Sequence, residues 1–173
     1  MIAITPAGPG DIPVLRELAH RIWHEHYPGI ITREQIDYML ARMYDPEVLQ
    51  REMSEGLTWL LVRHREEPVG FIAFAFNAPA RRVQLHKIYL LPALHGQGFG
   101  RRMLEEVKTQ AVQGNASEIV LQVNKQNSRA IRAYQRAGFV VRDSVVVDIG
   151  GGFVMDDLVM ALTLLSESRS SIV

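Results

Sequence analysis

Gly96, Gly98 and Gly100 alternate in the run His95-Gly-Gln-Gly-Phe-Gly-Arg-Arg102, between an apolar segment ending at Leu91-Pro92 and an amphipathic stretch. Residues without a Cβ let successive backbone N–H groups turn toward one anion and let the chain approach it closely. A helix starting there adds free N–H groups and the positive end of its dipole. The chemistry read from this stretch is pyrophosphate binding. A P-loop does not fit, because Gly100 is followed by Arg101-Arg102, without the lysine and hydroxyl that a P-loop needs. A Rossmann loop does not fit either: the spacing is G-x-G-x-G and not G-x-G-x-x-G, and it lies mid-chain.

Such a loop has to be carried between a strand and a helix, and the patterning supplies both. Apolar runs over 57–64, 69–77 and 83–91 read as three successive strands, the first two joined by Arg65-Glu-Glu-Pro68 as a hairpin. A helix follows over about 97–113, then a strand over 118–124, then a helix over 128–137 closed by Gly138. Residues 140–149 and 153–164, joined by Gly150-Gly-Gly152, form a last hairpin. Upstream, 2–5 reads as a short strand, and Asp11 with Pro13 opens a helix whose core face carries Val14, Leu15, Leu18 and Ile22. Thr32 with Gln35 matches a capping box, and Asp45-Pro46 restarts a helical turn or two.

The loop is joined downstream by Leu121-Gln-Val-Asn-Lys-Gln-Asn127-Ser-Arg-Ala-Ile-Arg-Ala-Tyr134-Gln-Arg-Ala-Gly138-Phe139. In this order and spacing the two motifs resemble the GCN5-related N-acetyltransferase (GNAT) family. The segment around 30–45 and the ending 153–163 are most similar to its polyamine-acetylating (spermidine/spermine) branch. The resemblance covers nearly the whole chain and implies an α/β (α+β) fold. That fold is a single domain over 1–165 with a mixed, mostly antiparallel sheet of about seven strands flanked by helices. Strands 4 and 5 are splayed for acetyl-CoA. Residues 166–173, rich in serine, are expected to be a disordered tail.

The resemblance implies an acetyl-CoA-dependent N-acetyltransferase (EC 2.3.1.-) and assigns sites residue by residue. Cofactor contacts fall on Ile88, Tyr89 and Leu90 through their backbone, on His95, Gly96, Gln97, Gly98, Phe99, Gly100 and Arg101, and on Asn127 and Tyr134. Arg102 is a second candidate for phosphate charge. Tyr134, with an ordinary pKa of about 10, can protonate or hydrogen-bond a CoA thiolate whose thiol titrates near 8.5. A free alkylamine has a pKa near 10.4, so about one molecule in 10³ is nucleophilic at pH 7, equivalent to roughly 4–5 kcal/mol. A proton acceptor is needed. Family members carry a carboxylate on the strand before the loop, where this chain has Gln84 and His86 on one face by alternation. Gln84 cannot accept a proton, and neutral His86 can, directly or through water. Gln122, where some protein-acetylating members have a glutamate, is neutral too.

His24, Tyr27, Gln84 and His86 are the acceptor-binding candidates, with His26 near the same entrance. His20 and His24 lie four apart on a helix without a third ligand nearby in sequence, so no metal is expected. Asp156-Asp157 reads first as a pair of solvent-facing hairpin acids, and second as a lure for a cationic amine. Met39, Met43 and Met155 read as core fillers.

The 173-residue chain, 47% apolar, suits one domain with a real core. Lys+Arg and Asp+Glu balance at 19 each, which disfavours a nucleic-acid partner. With no cysteine there is no acetyl-cysteine intermediate, and direct transfer within a ternary complex is the default. No apolar run reaches the roughly 18 residues of a membrane span, so no membrane partner and a cytoplasmic location are expected. The partner expected is a small-molecule amine; a homodimer is allowed. A protein or peptide amine is the competing acceptor, and a non-catalytic acyl-CoA-binding module is the competing class.

Overall fold

The structure, a computed structural model, describes residues 1–165. The tail expected at 166–173 lies outside the described residues. Seven strands form one sheet in the order β1-β2-β3-β4-β5-β7-β6. They are β1 Ile2–Pro6, β2 Thr58–His64, β3 Glu67–Asn77, β4 Arg82–Leu90, β5 Glu118–Asn124, β6 Val140–Gly150 and β7 Phe153–Thr163. All neighbours run antiparallel except β4 and β5. The helices are α1 Ile12–His26, α2 Arg33–Met43, α3 Pro46–Ser54, α4 Phe99–Gln113 and α5 Ser128–Arg136. The expected seven-stranded mixed sheet with flanking helices is the architecture found.

The one parallel pairing is short. Arg82 to Leu85 pair with Glu118 to Leu121 and there the ladder stops, although β4 continues to Leu90 and β5 to Asn124. The strands part beyond Leu85, leaving backbone groups of β4 without a strand partner on that edge. In an antiparallel ladder alternate residues point their N–H and C=O to opposite sides. Leu91 N–H donates to Val69 O, and Tyr89 stands opposite Phe71. Tyr89 therefore turns its backbone to β3, while Ile88 and Leu90 offer theirs to the gap. The backbone of Tyr89 is thus not available to a guest strand, contrary to the expectation that all three residues would serve.

Several local signals resolve differently from their first reading. Asp11 does not cap α1: its carboxylate accepts from the N–H of Gly8 at 2.9 Å, closing the short 3-10 turn Pro9–Asp11 ahead of the helix. The β2–β3 turn needs only Arg65 and Glu66, both left-handed with φ of 51° and 68°, so Pro68 falls inside β3. Helix α4 starts at Phe99 and not near 97, because Gly98 takes φ 83° as its N-cap. Thr32 does accept from the N–H of Gln35 at 3.2 Å, but the Gln35 side chain does not return to complete the box. Its Nε2 donates instead to Val154 O of β7 at 2.8 Å.

The core gathers Trp23 and Ile22 of α1, Leu40 of α2, Leu49 of α3, Trp59 of β2 and Phe71 and Phe74 of β3, all essentially buried. Met103 and Val107 of α4 bury the periodic face of that helix. No helix among the described residues is long and apolar enough to cross a membrane.

Candidate active site

Two cavities meet where β4 and β5 part. Ile88, Tyr89, Asn127 and Tyr134 line both. The larger, about 830 Å³, runs between the end of β4, the glycine loop, α4 and α5. Its charged walls are Arg101 and Lys108 of α4 and Arg129 and Arg136 of α5, against the single carboxylate of Glu105. Four cations to one anion make it a site for a polyanion. The sequence reading found only Arg101; Arg102 is exposed and lines neither cavity, and Lys108, Arg129 and Arg136 carry no local motif.

The three glycines do different work. Gly96 and Gly98, with φ of 78° and 83°, supply a left-handed backbone that other residues adopt at a cost. Gly100 has no such φ, and a Cβ built on it would meet nothing within 4 Å. The protein itself does not need glycine there. The space it keeps open belongs to the groove.

Asn127 is buried and caps α5, its Oδ1 accepting from the N–H of Ala130 at 3.4 Å. His95, partly buried, donates from Nε2 to Leu90 O at 3.0 Å. Its pKa is held below 6.5 by burial, so its ring is neutral and braces the free edge of β4. His26 lines this larger groove and not the acceptor side expected for it; burial, then His95, hold its pKa down, opposed by the Asn127 side chain. Gln97 and Phe99 line neither cavity. Gln97 donates to Ala93 O at 3.3 Å, and the Phe99 ring packs 5.0 Å from that of His64.

The smaller cavity, about 510 Å³, is lined by Tyr27, Gln84, His86, Gln122, Asn124 and Asp157 among others. Met39, Met43 and Met155, read as core fillers, also wall it. Gln84 and His86 do not follow simple alternation. Ala73 pairs with Lys87 and Phe74 with Leu85, so His86 is the extra residue of a β-bulge, a device that re-aims side chains. Both still reach this cavity. Burial, then Lys87, hold the His86 pKa below 6.5. His24 stays outside: its Nδ1 meets His20 O at 2.7 Å and its Nε2 meets Asp37 Oδ1 at 3.0 Å on the surface.

A roof of α2 and the β6–β7 hairpin stands on one side of the acceptor cavity, with Gln35, Met39 and Met155 on its wall. Tyr38 of α2 donates its hydroxyl to Ile149 O at 2.8 Å and packs its ring 5.0 Å from that of Phe153, while Gln35 holds Val154. The hairpin turn fits under α2 only because it lacks side chains, since a Cβ on Gly150 or Gly151 would come within 2.6 or 2.8 Å of Tyr38.

Residues 15–139 match the acetyltransferase (GNAT) family. The chain belongs to this family. An uncharacterised N-acetyltransferase of Mycobacterium bovis is 34% identical over 145 residues, covering 81% of this chain and 90% of that relative. The spermidine N(1)-acetyltransferase of Thermoplasma acidophilum is 26% identical over 151 residues, covering 84% and 90%. The crystal structure of PaiA N-acetyltransferase from T. acidophilum in complex with coenzyme A matches with a TM-score of 0.81 at 25% identity, over 95% of this chain and 99% of that one. The GNAT reading from the two motifs and the likeness to the polyamine branch are both supported by these relatives. The protein is an N-acetyltransferase of the GNAT type. The cationic groove with its open Gly100 fits the phosphates of a CoA thioester, and the edge of β4 left without a strand partner, the backbone of Ile88 and the N–H of Leu90, fits amide groups.

Tyr134 stands at the junction of the N-acetyltransferase's two cavities. Burial pushes its pKa well above 10, so the phenol keeps its proton throughout the neutral range, and the residue lines both cavities.

Proposed function

We propose that this N-acetyltransferase moves the acetyl group of acetyl-CoA to the primary amine of a small, polyamine-like molecule, by direct transfer in a ternary complex. The observation that carries the acceptor class is the roof. Helix α2 is tied to the β6–β7 hairpin by Tyr38 and Gln35, and Gln35 and Met155 of these elements line the cavity, which narrows the approach of a polypeptide. A volume of about 510 Å³ suits a small molecule and not a folded chain. The relatedness to a spermidine N(1)-acetyltransferase supports the same class.

Bound acetyl-CoA supplies the activated acetyl group. Arg101, Lys108, Arg129 and Arg136 balance its phosphates, and Ile88 and Leu90 hold its amide arm at the free edge. His86 takes the amine proton. Its depressed pKa keeps the ring neutral at pH 7 and ready to accept. Tyr134 donates to the departing sulfur as negative charge grows there. Without a cysteine the chain has no thiol to carry the acetyl group, which supports a single transfer.

The test is mass-spectrometric detection of product after incubation with acetyl-CoA and a panel of alkyl diamines, polyamines, lysine-containing peptides and free peptide N-termini. Acetylated diamine or polyamine is expected. Acetylated peptide alone would overturn the acceptor class. Tight acetyl-CoA binding without any product would favour a binding module.

A further inference from the structure

Asp156 and Asp157 are neighbours on β7 and face opposite ways. Asp156 is exposed, with its Oδ1 2.6 Å from Lys125 Nζ. Asp157 is 2% exposed and lines the acceptor cavity on the same face of β7 as Met155. The expectation of solvent-facing acids holds for Asp156 alone. The signal available in the sequence was the alternation Phe153-x-Met155-x-Asp157, which sets Asp157 in line with two apolar residues.

Strand pairing fixes Asp157 beside Asn124 of β5 and Val145 of β6. Both Asn124 and Gln122 line the same cavity, as does Tyr27, just past the end of α1, whose pKa is raised by burial and further by the Asp157 charge. No hydrogen-bond donor or counter-ion within contact distance meets the Asp157 carboxylate among the described residues; Lys125 acts on it only at a distance. A carboxylate set low in a cavity wall, with no protein donor in contact, is free to receive a cationic ligand. Burial, then Asp156, raise its pKa above 3.8, and Lys125 opposes them. Of the other charged side chains in this cavity, Lys87 is 6% exposed and already paired with Glu52. The aromatic rings of Trp23, Tyr27 and Tyr89 complete a wall that suits a cation.

We propose that Asp157 is the carboxylate that receives the ammonium group of the acceptor amine. The proposal rests on the small-amine reading above and adds the residue that selects for positive charge. No bond is made or broken at Asp157. It concentrates the cationic acceptor in the cavity that His86, which removes its proton, also lines.

The test is calorimetric titration of 1,4-diaminobutane into the CoA-saturated enzyme at neutral pH. Asp157→Asn should weaken diamine binding at least about 30-fold, the loss of one charge-assisted contact. Asp156→Asn, on the other face, should change it less than about threefold by the weak worth of an exposed charge. CoA affinity should be the same in all three proteins. In thermal unfolding, Asp157→Asn should raise Tm by removing an unpaired buried charge. The diamine should raise the Tm of the wild type and not that of the variant. Asp157→Ser, smaller and equally neutral, is run beside it and must lose diamine binding too if Asp157→Asn fails to fold. Equal losses at positions 156 and 157, or wild-type diamine affinity in a folded Asp157 variant, would overturn the proposal. So would a wild type that acetylates amines yet binds no diamine. A wild type that acetylates no amine would defeat the functional reading instead, and diamine binding would still decide Asp157.

Discussion

Lys87 Nζ lies 3.9 Å from Glu52 Oε2, with the rings of Trp59 and Tyr44 centred 5.1 and 5.6 Å from the ammonium. Helix α3 is thereby pinned to β4 next to the bulge that aims His86. Burial lowers the Lys87 pKa and Glu52 opposes that shift, so the carboxylate is what keeps the charge tolerable. Removing it strands a buried cation. Glu52→Ala should cost about 3 kcal/mol, the low end for breaking a buried pair, because the Glu52 side chain keeps 29% of its exposure. For a domain of this size that lowers Tm by roughly 6–12 °C. Lys87→Met combined with Glu52→Ala should recover most of the loss. An unchanged melting curve for Glu52→Ala would show the pair to be incidental.

Gly100→Ala isolates the role of the open space. The position has an ordinary φ and an empty Cβ site, so Tm should stay at the wild-type value. CoA affinity should fall at least about tenfold, since a methyl group would stand where the backbone meets the phosphates. Gly98→Val is the less clean variant. At φ 83° it carries a conformational cost of about 1–2 kcal/mol before any ligand is considered. Calorimetry finding unchanged CoA affinity in Gly100→Ala would move the phosphates elsewhere.

Tyr134→Phe should lower kcat by about 10²-fold or more, the usual worth of a general acid, with a small change in KM for acetyl-CoA. Because its pKa lies well above 10, Tyr134 adds no basic limb to the pH profile in the neutral range. Wild-type turnover in the variant would leave Tyr134 as packing beside Phe139, whose ring centre is 5.7 Å away.

His86 predicts the acidic limb of the kcat/KM profile. The imidazole accepts a proton only when neutral, and its pKa is lowered from 6.5, so activity should fall as pH drops through a value below 6.5. His86→Ala should lose that limb and lower the rate at neutral pH, while His86→Gln should restore polarity without restoring rate. A folded His86→Ala enzyme with the wild-type profile would assign the proton to water.

Much of the fold was legible because its signals are local. The strand Glu118–Asn124 was read to the residue, and the helices around it to within two positions. Alternation, periodicity, glycine spacing and a cap such as Asn127 each act over a few residues of chain. The absence of cysteine excludes an acetyl-cysteine intermediate from composition alone. Two cap readings failed where the side chain had another partner within reach in the fold. Asp11 found the N–H of Gly8, and Gln35 found Val154.

The sequence by itself determined the glycine loop, the Asn127–Tyr134 helix and the family they imply, since those depend on residue type at short spacing. Tertiary structure decided the rest. It alone put Arg129 and Arg136 across from Arg101, left His24 outside, and used a bulge to aim His86. It alone tied Tyr38 to Ile149, 111 positions away, and made one of two adjacent aspartates the buried wall of a cavity. The physical reason is that burial and charge environment are properties of what packs across a gap. No pattern along the chain encodes which distant element will stand there.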